Sequence, residues 1–165
     1  LDADKLADIA VKIGADVPFF LRSVPAVGRG VGERLDAVDG IPAALPLLIA
    51  APLFPVSAAW SYRHLDRTAA EADLRTMDPL LDALRRSDFQ NAASLLRNDL
   101  EHAVLDKFPL LAILKREFIA EGSRVMISGS GPTLFVFYES FAARERAVKH
   151  ARALAEQYAF ALLKP

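Results

Sequence analysis

Between Ile41 and Val56 lies the most apolar stretch of the chain, and it is broken by Pro42, Pro46, Pro52 and Pro55. It is too short to cross a bilayer. With prolines confined to its borders and flanks, it reads as a buried strand, Leu45 to Ala51, of the continuous apolar kind found at the centre of a sheet. A central strand needs partners on both sides, so the rest of the chain must supply them. No basic-then-apolar signal segment precedes it.

Candidate partners come late. Arg124 to Ile127 and Leu134 to Tyr138 read as strands flanking a Gly-Ser-Gly-Pro turn, and Tyr158 to Leu163 as a final strand. Between them, Ala147, Ala151 and Leu154, with Val148 and Ala155, mark a long helix. Ser57 to Leu65 predicts a helix capped by Ser57. Asp73 to Leu105 predicts short amphipathic helices broken at Ser87-Asp88 and Asn98-Asp99. Pro109 opens a further helix with Leu110, Leu114 and Phe118 on one face, closed by Gly122. From about residue 44 the order is strand, several helices, strand, strand, helix, strand. That is an α+β layer arrangement, with helices on one face of a mostly antiparallel sheet.

Ahead of this block, Asp4 to Ile13 predicts a helix with Asp2 or Asp4 as cap, ended by Gly14. Val17 to Leu21 reads as a short buried strand, and Ala26 to Glu33 as a glycine-rich strand or hairpin. A boundary falls within Asp36 to Ala44, dividing residues 1–40 from 41–165. Gly28, Gly30 and Gly32 lack the strand-then-helix context of a dinucleotide fingerprint, so strand geometry is the better reading.

Composition narrows function. The chain has 53% hydrophobic and 25% charged residues and a formal net charge of -1. It can build a core, and it lacks the basic footprint that nucleic acid or an acidic membrane requires. With no cysteine there is neither a disulfide frame nor a thiolate metal site, which fits a cytoplasmic protein. His64, His102 and His150 stand far apart among polar residues and read as surface side chains.

Two strings carry chemistry. In Gly14-Ala15-Asp16-Val17-Pro18-Phe19-Phe20, the carboxylate of Asp16 sits at a junction where it can accept a hydroxyl proton or hold a metal ion; the alternative is a solvated Asp in an ordinary helix-ending turn. In Ile127-Ser128-Gly129-Ser130-Gly131-Pro132-Thr133, glycines let backbone N–H groups converge on an anion, and Ser128 and Ser130 add hydroxyl donors. The alternative is a plain hairpin turn. Nothing in the chain reads GxxxxGK[ST].

In this order, the two strings resemble the C-terminal half of a small-molecule kinase of the GHMP superfamily. The likeness is to the branch that acts on a cytidine-diphosphate-linked polyol in non-mevalonate isoprenoid synthesis. The resemblance implies a ferredoxin-like C-terminal domain over residues 41–165 and a remnant of the N-terminal lobe over 1–40. It implies ATP and Mg²⁺ as cofactors, Asp16 as catalytic carboxylate, and Ser128, Gly129, Ser130 and Gly131 as a loop against the nucleotide phosphates.

Ala51 to Ser57, followed by Trp60, Tyr62 and Arg63, resembles the segment whose aromatic residue stacks on the cytosine ring. Tyr62 is the candidate, and such stacking is worth roughly 1–3 kcal/mol; packing on the helix is the alternative for Trp60 or Tyr62. Asn98-Asp99-Leu100-Glu101 also matches the family and reads structurally, as a helix start capped by Asn98 or Asp99.

The family's glycine/serine-rich nucleotide loop and the lysine that partners the aspartate are absent, and the chain begins at Leu1 without Met. It is therefore expected to be an excerpt that by itself neither binds ATP tightly nor turns over substrate. It is also expected to self-associate through the apolar face left by the missing lobe. A GHMP kinase for a mevalonate- or homoserine-type alcohol, and a stand-alone α+β binding or assembly module, are the competing readings.

Overall fold

The computed structural model describes residues 2–14, 16–30, 32, 34–66 and 77–165, the side chains of residues 3, 4 and 22 aside. They form two compact units, Leu1–Ile41 and Pro42–Pro165.

In the first unit, α1 (Ala3–Ile13) starts where the Asp2 carboxylate accepts the Lys5 N–H at 2.8 Å, and ends where the Gly14 N–H returns to the Ala10 carbonyl. The next segment corrects the sequence reading. Val17–Arg22 is a short helix, α2, and not a buried strand: Pro18 occupies its first turn, where a missing N–H and a fixed φ are favourable. Only Pro18 is buried, while Phe20 is 71% exposed. The β-rich composition of Val-Pro-Phe-Phe-Leu misled because no neighbouring strand receives it among the described residues. β1 (Ala26–Arg29) and β2 (Arg34–Ala37) then form an antiparallel hairpin, registered Ala26↔Ala37 to Arg29↔Arg34. Gly30 and Gly32 take positive φ in its turn, and Arg29 pairs with Asp36 across it at 2.5 Å.

The second unit contains a four-stranded sheet in the order β4-β5-β3-β6, built from β3 (Leu47–Pro52), β4 (Arg124–Ile127), β5 (Leu134–Phe137) and β6 (Phe160–Leu163). Every pairing is antiparallel: Ala50↔Leu134, Ala50↔Leu162 and Ile127↔Leu134 fix the register. This is a ferredoxin-like sheet whose first crossover is a series of helices: α3 (Ala58–Arg63), α4 (Asp78–Arg85), α5 (Phe89–Leu95), α6 (Glu101–Lys107) and α7 (Pro109–Ala120). The second crossover is α8 (Phe141–Tyr158), capped by the Ser140 hydroxyl.

Period-two alternation sends Leu48, Ala50, Val125, Ile127, Leu134, Val136 and Phe160 to one face. There they meet Leu111, Leu114 and Phe118 of α7 and Ala147, Ala151 and Leu154 of α8. Burying each large apolar side chain stabilises by roughly 1.5–3 kcal/mol, so this contiguous cluster is what holds the sheet and its helices together. On the other face Leu47, Ile49, Phe135 and Phe137 are half-buried.

Candidate functional site

Asp16 lies at the N-cap position of α2, but its carboxylate caps nothing. Among the described residues this carboxylate has no hydrogen-bond partner, although the Asp16 carbonyl accepts the Phe19 N–H at 3.3 Å, and the residue is exposed. An aspartate that lies between two helices with its carboxylate capping neither can act on something outside its own turn. Gly32 approaches it: a Cβ built there would lie 3.8 Å from Asp16 Oδ1, and φ at Gly32 is +104°. A side chain at residue 32 would therefore be strained by its backbone conformation, while its Cβ would make only ordinary contact with the carboxylate.

In the second unit, Ser128 to Thr133 joins β4 to β5. The Ser128 N–H donates to the Thr133 carbonyl and the Gly131 N–H to the Ser128 carbonyl, both at 2.8 Å. Those bonds leave the N–H groups of Gly129 and Ser130 without an acceptor among the described residues. Gly129 has φ +52° and Gly131 φ +82°, and the Gly131–Pro132 peptide is cis. Two adjacent unpaired amides beside two serines are what a concave anion site requires. Gly131 is fixed for a second reason: a Cβ there would meet Ile127 Cγ2 at 3.1 Å.

α3 separates the two aromatic candidates. Trp60 packs, stacked on His64 at 4.2 Å between ring centroids, edge-on to Phe108, with Lys107 Nζ 3.9 Å above its ring. Tyr62 points outward and is 61% exposed. The histidines divide as well. His64 and His102 are exposed, but His150 has a buried Nε2 without a partner and lies 3.8 Å from Glu121. Nearby, burial of the Tyr138 hydroxyl, with Glu121 adding to it, pushes Tyr138 up to about 12.

Sequence reasoning assigned Asn98 and Asp99 to helix capping, and the structure shows more. Leu100 stands at the N-cap position of α6, and Asn98 Oδ1 accepts its N–H at 3.1 Å. The Asn98 amide also donates to the carbonyls of Ile127 and Gly129, each at 2.8 Å. Glu101 accepts the Ile127 N–H at 2.9 Å and pairs with Lys115 at 2.6 Å. The only sequence signal for these contacts is the family-like string Asn98 to Glu101.

A ferredoxin-like sheet with this helical crossover and a Gly-Ser-Gly-Pro hairpin defines a class. Residues 80–157 match the family described as GHMP kinases C terminal. Among named proteins, it is similar to 4-diphosphocytidyl-2-C-methyl-D-erythritol kinase of Geobacter sulfurreducens, 38% identical over 157 residues, covering 93% of this chain and 53% of that protein. The kinase of the same name from Citrifermentans bemidjiense is 39% identical over 155 residues, covering 93% and 51%. A crystal structure of 4-(cytidine 5'-diphospho)-2C-methyl-D-erythritol kinase superposes with TM-score 0.73 at 32% identity, over 93% of this chain and 54% of that one. Homoserine kinase from Cytophaga hutchinsonii shares the fold, with TM-score 0.59 at 21% identity, over 78% and 43%. The chain spans about half the length of the curated relatives it matches.

Proposed function

We propose that the chain is part of an ATP-dependent kinase that phosphorylates a hydroxyl of 4-diphosphocytidyl-2-C-methyl-D-erythritol, in the cytoplasm and in non-mevalonate isoprenoid synthesis. The observation that carries this reading is the β4–β5 turn. It presents the free N–H groups of Gly129 and Ser130, in a domain of a kinase family. Such donors suit anionic phosphate oxygens and require no reorganisation when charge develops.

ATP supplies the transferred phosphoryl group. Asp16 accepts the proton of the substrate hydroxyl as that oxygen bonds to the γ-phosphorus and the bond to the ADP oxygen breaks. The N–H groups of Gly129 and Ser130, with the Ser128 and Ser130 hydroxyls, hold phosphate oxygens in place while the transfer proceeds, and Gly131 shapes the loop. Tyr62 offers its exposed ring to the cytosine base. Among the described residues no group of three acidic or imidazole side chains is placed to hold a metal. Mg²⁺ at a nucleotide site needs no such group, since one or two carboxylates and the substrate phosphates hold it, and no step here runs through it. Residues 1–40 represent the remnant of an N-terminal lobe, and their exposed apolar side chains support that assignment.

The test is turnover by protein expressed from the complete coding frame, followed as substrate-dependent ADP formation. Asp16→Asn is expected to lower kcat by about 10²–10⁴-fold, the usual contribution of a positioned base, with unchanged Tm. An Asp16→Asn protein that keeps wild-type kcat overturns the role of Asp16. Wild-type protein that turns over only another small alcohol overturns the substrate.

A further inference from the structure

We infer that Asn98 and Glu101 form a clip that presets the Ser128–Gly131 turn, and that they are positioning residues for phosphate binding. The inference rests on the kinase reading and names side chains that set the geometry of its loop. β4 is the edge strand of the sheet. In the pair Ile127↔Leu134, the N–H and carbonyl of Ile127 point away from β5. Left bare, they would be an open edge and would leave the following turn hinged at one strand only.

Instead, Glu101 Oε1 accepts the Ile127 N–H and the Asn98 amide donates to the Ile127 carbonyl. Two side chains thus do for one residue what a fifth strand would do. The second N–H of the same Asn98 amide reaches the Gly129 carbonyl, inside the turn itself. That bond fixes the plane of the Gly129–Ser130 peptide, and the orientation of its carbonyl sets that of the Ser130 N–H on the same peptide.

Every polar atom of the clip is engaged. Asn98 uses both amide hydrogens and its oxygen, and Glu101 divides its two oxygens between Ile127 and Lys115. The Glu101 and Lys115 side chains are only 19% and 21% exposed, so their charge-assisted bond is sheltered and the carboxylate is held in one place. Below the turn, Ile127 and Val104 close on Gly131. The clip reaches the phosphate-facing amides from the opposite side, and no clip side chain need touch a ligand.

The experiment uses protein expressed from the complete coding frame, with ATP as the probe. It compares wild type, Asn98→Ala, Glu101→Ala and Glu101→Gln. Backbone amide shifts of Gly129 and Ser130 are followed during ATP titration, and hydrogen exchange of the Ser128 and Gly131 amides is measured without ATP. Asn98→Ala is expected to speed exchange at Ser128 and Gly131 at least tenfold, leave Val136 within twofold, and weaken the ATP response of Gly129 and Ser130 about tenfold. Glu101→Gln keeps an acceptor for Ile127 and is expected to retain most of the response that Glu101→Ala loses.

A merely structural role predicts a lower Tm with unchanged loop shifts and unchanged KM for ATP in the folded fraction; that result overturns the clip as a positioning device. Wild-type Gly129 and Ser130 shifts that ignore ATP also overturn it. Turnover decides the kinase reading separately: an inactive wild type whose loop still responds to ATP in a clip-dependent way rejects the activity and keeps the clip.

Discussion

In Pro42–Pro165 the large apolar side chains close on one another, from Leu48 at the sheet centre to Phe118 and Leu154 on the helices above it. In Leu1–Ile41 the pattern is reversed. Leu6, Ile9, Val11, Ile13, Phe19, Phe20, Leu21 and Val24 are all exposed, and among its described residues Ala10 is the one buried hydrophobic side chain apart from Pro18. The same amphipathic chemistry is thus used in two ways. One unit carries its own core; the other holds backbone structure through caps, a hairpin and short helices while its apolar side chains find no cover within it. The two candidate chemical groups differ accordingly. The Ser128–Gly131 turn is anchored to the core through Ile127, and among the described residues Asp16 is held by the local geometry of a six-residue helix.

The contrast is sharpest under truncation. Phe118→Ala is expected to lower stability by about 3–5 kcal/mol, because it empties a position that is 1% exposed. Ile13→Ala, at a position 73% exposed, is expected to change it by less than about 0.5 kcal/mol. Urea unfolding of both variants checks this, and equal losses would break the comparison.

A finer contrast lies within the turn. Gly131→Ala combines φ +82° with a 3.1 Å approach to Ile127 and is expected to cost about 1–3 kcal/mol. Gly129→Ala, with φ +52° and open space, is expected to cost about 1 kcal/mol. Thermal unfolding of the two variants distinguishes conformational strain from collision with the core.

The smallest effect concerns pH. Tyr138 ionises near 10.0 when unfolded and is pushed up to about 12 in the fold. Its contribution is fully present below pH 10 and is lost as pH rises through 10 towards 12, where the unfolded chain releases the proton first. Tyr138→Phe is expected to flatten that alkaline decline. Near pH 7 it should shift stability by no more than about 1 kcal/mol, because the hydroxyl it removes has no partner. Unfolding midpoints from pH 7 to 11 measure both.

Among the described residues, sequence periodicity was enough to recover the order of strands and helices from residue 44 onward; the start of the helical stretch expected from Asp73 lies outside them. Each of those elements writes its burial into its own spacing: Leu110, Leu114 and Phe118 for a helix, the apolar run at Leu45–Ala51 for a strand. It failed at Val17–Arg22, where β-branched and aromatic residues suggested a strand. The decisive fact, that no other strand comes alongside, is not local. It also undervalued Asn98 and Glu101. Their partners lie 29, 31 and 26 residues away along the chain, and no spacing rule reaches across a helical crossover to a strand edge. The β4–β5 turn was legible as a glycine-serine string, but which of its amides remain unpaired among the described residues followed only from the Ser128 and Gly131 hydrogen bonds.

The position of β3 between β5 and β6 has a consequence for biosynthesis. A ribosome makes β3 before either of its neighbours, and Ile49 waits for both Phe135 and Leu163. During that interval the nascent chain holds an apolar strand with two bare edges, the kind of segment that recruits other chains. The prolines at 46 and 52, which lack the donor that a foreign strand would seek, lie at the two ends of this waiting segment. Their missing donors are a property of the sequence itself and so hold before the fold exists.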